Sequence, residues 1–430
     1  MSSGIEGDCH RQLMELIASR QPGWGLPREL YLQDLVYESE LERIWREDWL
    51  FVGHTCEFPE PGDYLTFSVD QDSIVVIRGD DSVARAFYNF CRHRGTLLCD
   101  QATGHVGRVV CPYHQWTFAR DGHLVSCRGM HDDVDRGELS LLSAHVQEVE
   151  GLVFVSLAKG QPPDFEPMRI ACGPLLKPQG FSRAKVAKVV EYEVPANWKI
   201  VWENNRECYH CNVGHPQYIR ANFDHYNADD ATPAIRQRIA DAVARSETKW
   251  AAAGLAVSHT QTGMCPFPSP GPHGWFAANR TALTEGYVSE TMDGKQKAPL
   301  MGDYPDADVG TLRIRTMPNF WNHSSCDHGV STRLLPAGKS QTNIRVTWLV
   351  EGNAQEGHDY QLADIMPFWQ LTSEQDWELC RKVQQGVSSS RYRPGPFSTY
   401  KEYNVDAFVT WCLQRLAGDG TGGEQQGGAI

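Results

Sequence analysis

Two short strings, Cys91-Arg92-His93 and Cys111-Pro112-Tyr113-His114, each offer one soft thiolate and one imidazole, with seventeen residues between His93 and Cys111. Four such ligands suit either a tetrahedral zinc or a mixed-ligand [2Fe–2S] cluster. Structural zinc patterns commonly pair Cys with Cys and His with His, whereas here each string holds one of each. That favours the cluster. Two imidazoles on one iron raise its reduction potential, so it can accept electrons from a low-potential donor and pass them on.

A second metal candidate is the run Asn204-Asn205-Arg206-Glu207-Cys208-Tyr209-His210-Cys211-Asn212-Val213-Gly214-His215-Pro216, whose two histidines are five apart. On a helix, positions i and i+4 share a face, so His215 must swing back where Gly214 and Pro216 end the helix. Two imidazoles and one carboxylate make the facial triad of a mononuclear non-haem Fe(II), with open positions for O2 and substrate. Asp364, Glu374, Asp376 and Glu378 are the candidate carboxylates. Asp376 is preferred because Leu371, Trp377 and Leu379 suggest a buried stretch, where a carboxylate needs a charged partner. The plainer reading, one packing and one surface histidine, leaves electrons from the cluster without a destination. Cys208-x-x-Cys211 resembles a redox pair, but it lies inside an expected helix over Trp198–Val213, so both thiols read as reduced. The remaining cysteines, Cys265 among them, show no metal spacing.

These residues need elements to hold them. Residues 1–46 read as a helical arm, with apolar periodicity at Leu13–Ala18 and Glu38–Trp49. Residues 47–160 alternate short β-rich runs (Tyr64–Val69, Ser73–Arg78, Ala84–Phe90, Val106–Val110, Leu152–Leu157) with Gly and Asp turns, which is a small β domain carrying both ligand strings in its loops. Prolines mark residues 161–180 as a linker. A second domain over 181–417 mixes strands (Lys185–Val194, Gly310–Met317, Val330–Pro336, Thr342–Val350) with helices (Trp198–Val213, Ile235–Ala252, Tyr360–Asp376, Trp377–Val387, Val405–Leu416). The Gly/Gln-rich tail, 418–430, reads as disordered. The fold class is therefore α+β.

Composition narrows the partners. A net charge of −14 argues against nucleic acid, and no apolar run is long enough to span a membrane. Met1–Arg20 lacks the apolar core of a signal peptide, and thirteen cysteines are an odd number, so a reducing cytoplasm is the expected location.

Taken together, the Cys-x-His and Cys-x2-His loops, the Glu-x2-His-x4-His run and the late Asp resemble the α subunit of Rieske non-haem iron oxygenases, over about residues 40–415. The resemblance implies an all-β Rieske [2Fe–2S] domain joined to a catalytic domain with an antiparallel sheet flanked by helices, of helix-grip type. It implies that Cys91, His93, Cys111 and His114 hold the cluster and that His210, His215 and Asp376 hold the mononuclear iron. Glu207 occupies the place of an acidic residue that links cluster and iron across the subunit boundary of a homotrimer.

Glu rather than Asp at that place resembles the branch acting on quaternary ammonium compounds: glycine betaine, stachydrine, choline and carnitine. Asn197-Trp198-Lys199, Glu203–Asn212, Thr291–Gln296, Trp321-Asn322-His323 and Arg393–Pro396 are similar to its glycine betaine demethylases, whereas Cys265–Thr284 follows that group less closely. The implied reaction hydroxylates an N-methyl group with O2, and the N-hydroxymethyl product loses formaldehyde. Electrons would come from NADH through a separate reductase with flavin and an iron–sulfur cluster. The alternative is an aromatic or other neutral substrate. Tyr209 and Asn204 are candidate supports of the iron site. A small cationic substrate calls for aromatic faces; Trp275, Phe276, Phe320 and Trp321 are the candidates, and Trp321 is the one selected.

Overall fold

The structure, a computed structural model, describes residues 2–131, 133–223, 231–256, 267–269 and 273–418. Cys265, part of the Cys265–Thr284 segment and residues 419–430 of the tail lie outside the described residues.

Among the described residues sixteen strands form three antiparallel sheets. The first seven-stranded sheet has the order β1-β10-β9-β4-β3-β2-β5, from β1 (Leu50–His54), β2 (Asp63–Val69), β3 (Asp72–Arg78), β4 (Ala84–Tyr88), β5 (Thr103–His105), β9 (Ser143–Val149) and β10 (Leu152–Ser156). β6 (Val109–Val110), β7 (Thr117–Phe118) and β8 (Leu124–Ser126) make a small sheet beside it. Val75, Ile77, Phe87, Cys91, Cys111, Trp116 and Phe118 pack as one buried cluster, so the ligand loops rest on a core of their own.

The third sheet has the order β11-β16-β15-β14-β13-β12, from β11 (Lys185–Val194), β12 (Phe276–Thr281), β13 (Thr311–Thr316), β14 (Phe320–Ser324), β15 (Gly329–Pro336) and β16 (Thr342–Val350). The described residues also form eleven α-helices: α1 (Ser2–Ala18), α2 (Glu29–Leu32), α3 (Asp34–Glu40), α4 (Glu166–Leu176), α5 (Trp198–Asn205), α6 (Cys211–Gly214), α7 (Pro216–Ala221), α8 (Pro233–Ala252), α9 (Leu362–Ile365), α10 (Pro367–Val387) and α11 (Tyr403–Ala417). The α+β class and both antiparallel sheets agree with the sequence reading.

Two differences are informative. The span read as a linker carries α4, whose Met168, Cys172, Leu175 and Leu176 are buried. Pro174 lies in the last turn of α4, where its missing N–H removes one intrahelical bond, and the chain passes into a 3-10 turn over Lys177–Gln179. Gly180 then turns back at φ 69°, where a Cβ would meet the Gly302 Cα at 2.6 Å. The helix expected over Glu38–Trp49 is instead the end of α3 and a π-helical turn over Leu41–Trp45.

The two large sheets are fastened together. Phe51 N donates to Asn319 Oδ1 and Asn319 Nδ2 donates to Phe51 O, both at 2.9 Å, and Phe51 stacks on Phe320 with centroids 4.0 Å apart. The arm packs on α5 through Trp45, edge-on to Trp198 at 5.1 Å, and through a fully buried ion pair between Glu40 and Lys199. Asn197 caps α5, accepting from Lys199 N at 2.9 Å while its amide reaches the carbonyls of Tyr31 at 3.0 Å and Lys339 at 2.8 Å. The Asn-Trp-Lys string thus aims α5, and the segment after it carries the candidate relay and ligands.

Candidate cluster and metal centres

The two Cys/His loops have matching backbones. Cys91 N bonds Thr96 O and Cys111 N bonds Trp116 O, both at 2.8 Å; Gly95 N returns to Cys91 O at 2.9 Å and Gln115 N to Cys111 O at 3.0 Å. The fifth residue of each loop is left-handed, Gly95 at φ 74° and Gln115 at φ 60°. Such loops turn their N–H groups inward, as sulfur ligands require. Burial alone would raise the Cys111 thiol, but the N–H groups of Tyr113 and His114 outweigh it and hold the pKa below the ordinary value.

The His93 and His114 rings stand 4.7 Å apart at 68°. His93 lies flat on Trp116 at 4.9 Å, and its Nδ1 is buried with no hydrogen-bond partner. A buried imidazole nitrogen left without a partner suits an iron ligand. The four donors, two buried thiols and two facing imidazoles, therefore fit a [2Fe–2S] cluster. His114 is solvent-exposed and lies against Tyr113, the rings 3.7 Å apart and tilted by 31°, so this side of the site faces outward.

The segment after α5 does not continue as the helix expected over Trp198–Val213. Glu207 Oε2 accepts from the backbone N–H groups of Tyr209 and His210, and this local bonding competes with a helical turn. Cys208 and Cys211, read as reduced helix residues, are joined by a disulfide with Cα atoms 5.0 Å apart, because the break sets them across a turn. His210 precedes α6 and His215 separates α6 from α7; Pro216 after it disfavours helical geometry at His215, whose φ and ψ are −131° and 68°.

His210 Nε2 and His215 Nε2 are 3.0 Å apart, and Asp376 Oδ1 lies 3.1 Å from the first and 2.9 Å from the second. Three donors about 2.1 Å from one centre and about 90° apart stand about 3.0 Å from one another, which is the spacing of a facial triad. Both remote nitrogens are held: His210 Nδ1 by Glu207 Oε1 at 2.5 Å and His215 Nδ1 by Gln375 Oε1 at 2.8 Å. Each ring thereby keeps its Nε2 lone pair for a metal. In the metal-free protein burial would lower the His210 pKa, but Asp376 and Glu207 raise it to about 10; burial would raise Asp376, and the two histidines hold it low. A proton there answers the same negative field that a cation would, so the donor set fits mononuclear iron.

Asp376 sits on the inner side of α10, where Trp369, Thr372, Ser373, Trp377 and Cys380 are buried at helical spacing. The triad opens into a cavity of about 740 Å³, part of it open to solvent. Arg206, Tyr218, Arg313, Arg315, His323 and Trp369 line it, and so does Asn204. Tyr209 is exposed. Trp321, expected to bind substrate, does not line the cavity; it fills the core between Trp202, 5.1 Å away, and Trp377, 6.4 Å away. Trp275, Phe276 and Phe320 do not line it either. Sequence reading missed Trp369 and the basic wall, although Arg313-x-Arg315 and Trp321-x-His323 alternate on neighbouring strands with Arg313 paired to His323.

Residues 48–142 match the Rieske [2Fe-2S] domain, and residues 181–418 match the ring hydroxylating alpha subunit (catalytic domain). The glycine betaine monooxygenase oxygenase subunit of Chromohalobacter salexigens is 40% identical over 92% of this chain and 87% of its own. The glycine betaine monooxygenase oxygenase subunit of Pseudomonas aeruginosa is 36% identical over 94% and 91%. Among solved structures, the quaternary ammonium Rieske monooxygenase CntA superposes with a TM-score of 0.69 at 23% identity, covering 93% of this chain and 98% of that one, a likeness of fold.

Proposed function

The chain belongs to the ring-hydroxylating α subunits of the Rieske non-haem iron oxygenases, and on that premise we propose that it is the oxygenase component of a monooxygenase that removes an N-methyl group from a quaternary ammonium compound. The observation that carries this reading is the 2.9–3.1 Å triangle of His210, His215 and Asp376 on the lining of a cavity partly open to solvent. The relatives named for glycine betaine give the substrate class.

Bound iron, supplied with electrons from the cluster, would provide the O2 chemistry. The overall change balances: an N-methyl group, O2, two electrons and two protons give an N-hydroxymethyl group and water. The N-hydroxymethyl group then loses formaldehyde and a proton, leaving the tertiary amine.

The chain's own residues do the rest. Cys91, His93, Cys111 and His114 hold the cluster, and His210, His215 and Asp376 hold the iron. Gln375 and Glu207 keep both ring N–H groups pointed away from the metal position. Glu207 also serves as the electron relay. Its carboxylate already bonds His210, and a second imidazole, the exposed His114 of a neighbouring subunit, completes the bridge. This favours a homotrimer. A separate reductase with flavin and an iron–sulfur cluster delivers electrons from NADH. Trp369 and Tyr218 offer ring faces to the onium group, each worth about 0.5–2 kcal/mol. A cytoplasmic location belongs to the same proposal, supported by eight described thiols that are neither in the Cys208–Cys211 disulfide nor assigned to the cluster. No described helix is long and apolar enough to cross a membrane.

The test is a single turnover. Iron-loaded protein is reduced with dithionite, exposed to O2 and assayed for formaldehyde with glycine betaine, stachydrine, choline, carnitine and a neutral arene. Formaldehyde from an onium compound upholds the proposal. Arene hydroxylation without formaldehyde overturns it in favour of the neutral-substrate reading.

A further inference from the structure

The cavity above the triad has a basic wall. Arg206, Arg313, Arg315 and Lys401 line it against two carboxylates, Glu207 and Asp376. Both carboxylates are engaged, Asp376 by the two histidines and Glu207 by His210 and two backbone N–H groups. Arg313 has its own counter-charge, buried Glu290, and donates to Asn222 Oδ1 at 2.8 Å. Lys401 lies in the field of Glu207.

Arg206 is different. Only 6% exposed, it caps the end of α5, and its backbone N–H returns to Trp202 O at 2.9 Å. Its guanidinium lies over the Phe267 ring at 5.2 Å, its Nη1 reaches only Asn205 Oδ1 at 3.3 Å, and its Nε is buried with no partner. Among the described residues no carboxylate makes an ion pair with it. Burial, together with repulsion from Arg315, presses its pKa well below the usual value. A buried guanidinium without a counter-ion is costly, and the planar fork is shaped to receive a carboxylate.

We propose that Arg206 is the carboxylate anchor of the substrate site, so that the enzyme takes zwitterionic betaines, an onium group joined to a carboxylate, in preference to amino-alcohol onium compounds. This rests on the demethylase reading and deepens it. In a short betaine one methylene joins the onium nitrogen to the carboxylate. One end can therefore meet Arg206 while an N-methyl group faces the triad in the same cavity. Neutral His323, whose Nδ1 is buried without a partner, lies on the same lining and offers a second polar group to the anion. Burial and the three arginines keep its pKa well below the ordinary value.

The experiment uses the holoenzyme, R206M and R206K. In R206M the ratio of kcat/KM for glycine betaine over choline falls about 100-fold, carried by KM, as expected for loss of a buried charge-assisted pair. R206K retains the charge but not the fork and loses about tenfold. A second readout needs no turnover: titration calorimetry with 3,3-dimethylbutanoate, which has the shape and carboxylate of glycine betaine but no cation. It binds the native protein and fails to bind R206M, whereas tetramethylammonium binds both. Equal losses for betaine and choline, or unaltered binding of 3,3-dimethylbutanoate to R206M, would overturn the anchor. If R206M does not fold, R206K alone decides: an undiminished betaine preference overturns the proposal. A native enzyme that releases formaldehyde from no onium compound defeats the demethylase reading, and the calorimetry then still decides whether Arg206 holds a carboxylate.

Discussion

His215 Nδ1 faces Gln375 Oε1 at 2.8 Å, and Gln375 is the residue just before Asp376, so one turn of α10 both carries a candidate ligand and orients the histidine beside it. Gln217 Nε2 donates to the same Gln375 oxygen at 3.0 Å and to Thr372 Oγ1 at 2.9 Å, fixing the amide. Gln375→Leu should therefore loosen the iron site alone. Iron affinity in a chelator competition is expected to fall about 10- to 100-fold, the usual effect of losing such a support. The visible spectrum of the cluster should stay as in the native protein. Undiminished iron retention would show that His215 needs no such support.

Glu207 makes a different prediction because its acceptor side is shared. Glu207→Gln should keep both metal centres filled and slow multiple turnover at least about 100-fold, since the relay loses its charge-assisted contacts. A neighbour-to-neighbour path adds a sharper expectation. Co-expressed E207Q and C111A chains, each strongly impaired alone, should regain part of the activity as mixed oligomers, because an intact cluster in one chain then serves an intact relay in the next. Absence of any recovery in verified mixed oligomers would place the path within one chain.

The candidate ligand residues could be proposed from sequence because donor chemistry restricts such ligands to few residue types at short spacings, and Cys91, His93, Cys111 and His114 satisfy that locally. Asp376 needed one more inference, from the apolar company of Trp377 and Leu379. The break after Asn205 was not legible, since it depends on the Glu207 carboxylate folding back on the N–H groups of Tyr209 and His210. The cavity wall was harder still. Arg313 and His323 meet only through strand pairing, and Arg206 becomes notable only once its burial and missing counter-ion are seen. The choice of Trp321 failed for a related reason: in a chain with thirteen tryptophans, type alone does not separate a core ring from a lining ring such as Trp369.

Asn197 joins three parts of the chain by the cap on α5 and two bonds to the Tyr31 and Lys339 carbonyls. Asn197→Ala removes the cap, worth about 1 kcal/mol, and leaves two buried acceptors short of a donor, at about 1–3 kcal/mol each before relaxation. A net loss of about 2–4 kcal/mol in unfolding free energy is expected. Iron should be released at lower denaturant than from the native chain, because α5 leads into the His210 segment. A change under about 0.5 kcal/mol, the range of ordinary surface substitutions, would contradict this.

Glu203, one turn before Glu207, is partly buried and accepts from the Tyr31 hydroxyl at 2.8 and 3.0 Å. Burial raises its pKa to about 7, more than the Tyr31 bond and the Lys199 charge lower it. In the unfolded chain the same carboxyl titrates near about 4.3. Between those values the folded state keeps a proton that the unfolded state has released, so this group's contribution to stability falls as pH rises from about 4 to 7 and is level above. Glu203→Gln carries no such titration and can still accept from Tyr31. The variant's stability relative to the native protein should therefore improve by about 1–3 kcal/mol between pH 4.5 and pH 8. Thermal or urea unfolding at the two pH values measures it. A difference that stays constant, or that reverses, would mean that Glu203 is already ionised in the folded protein at the lower pH, with Lys199 outweighing burial.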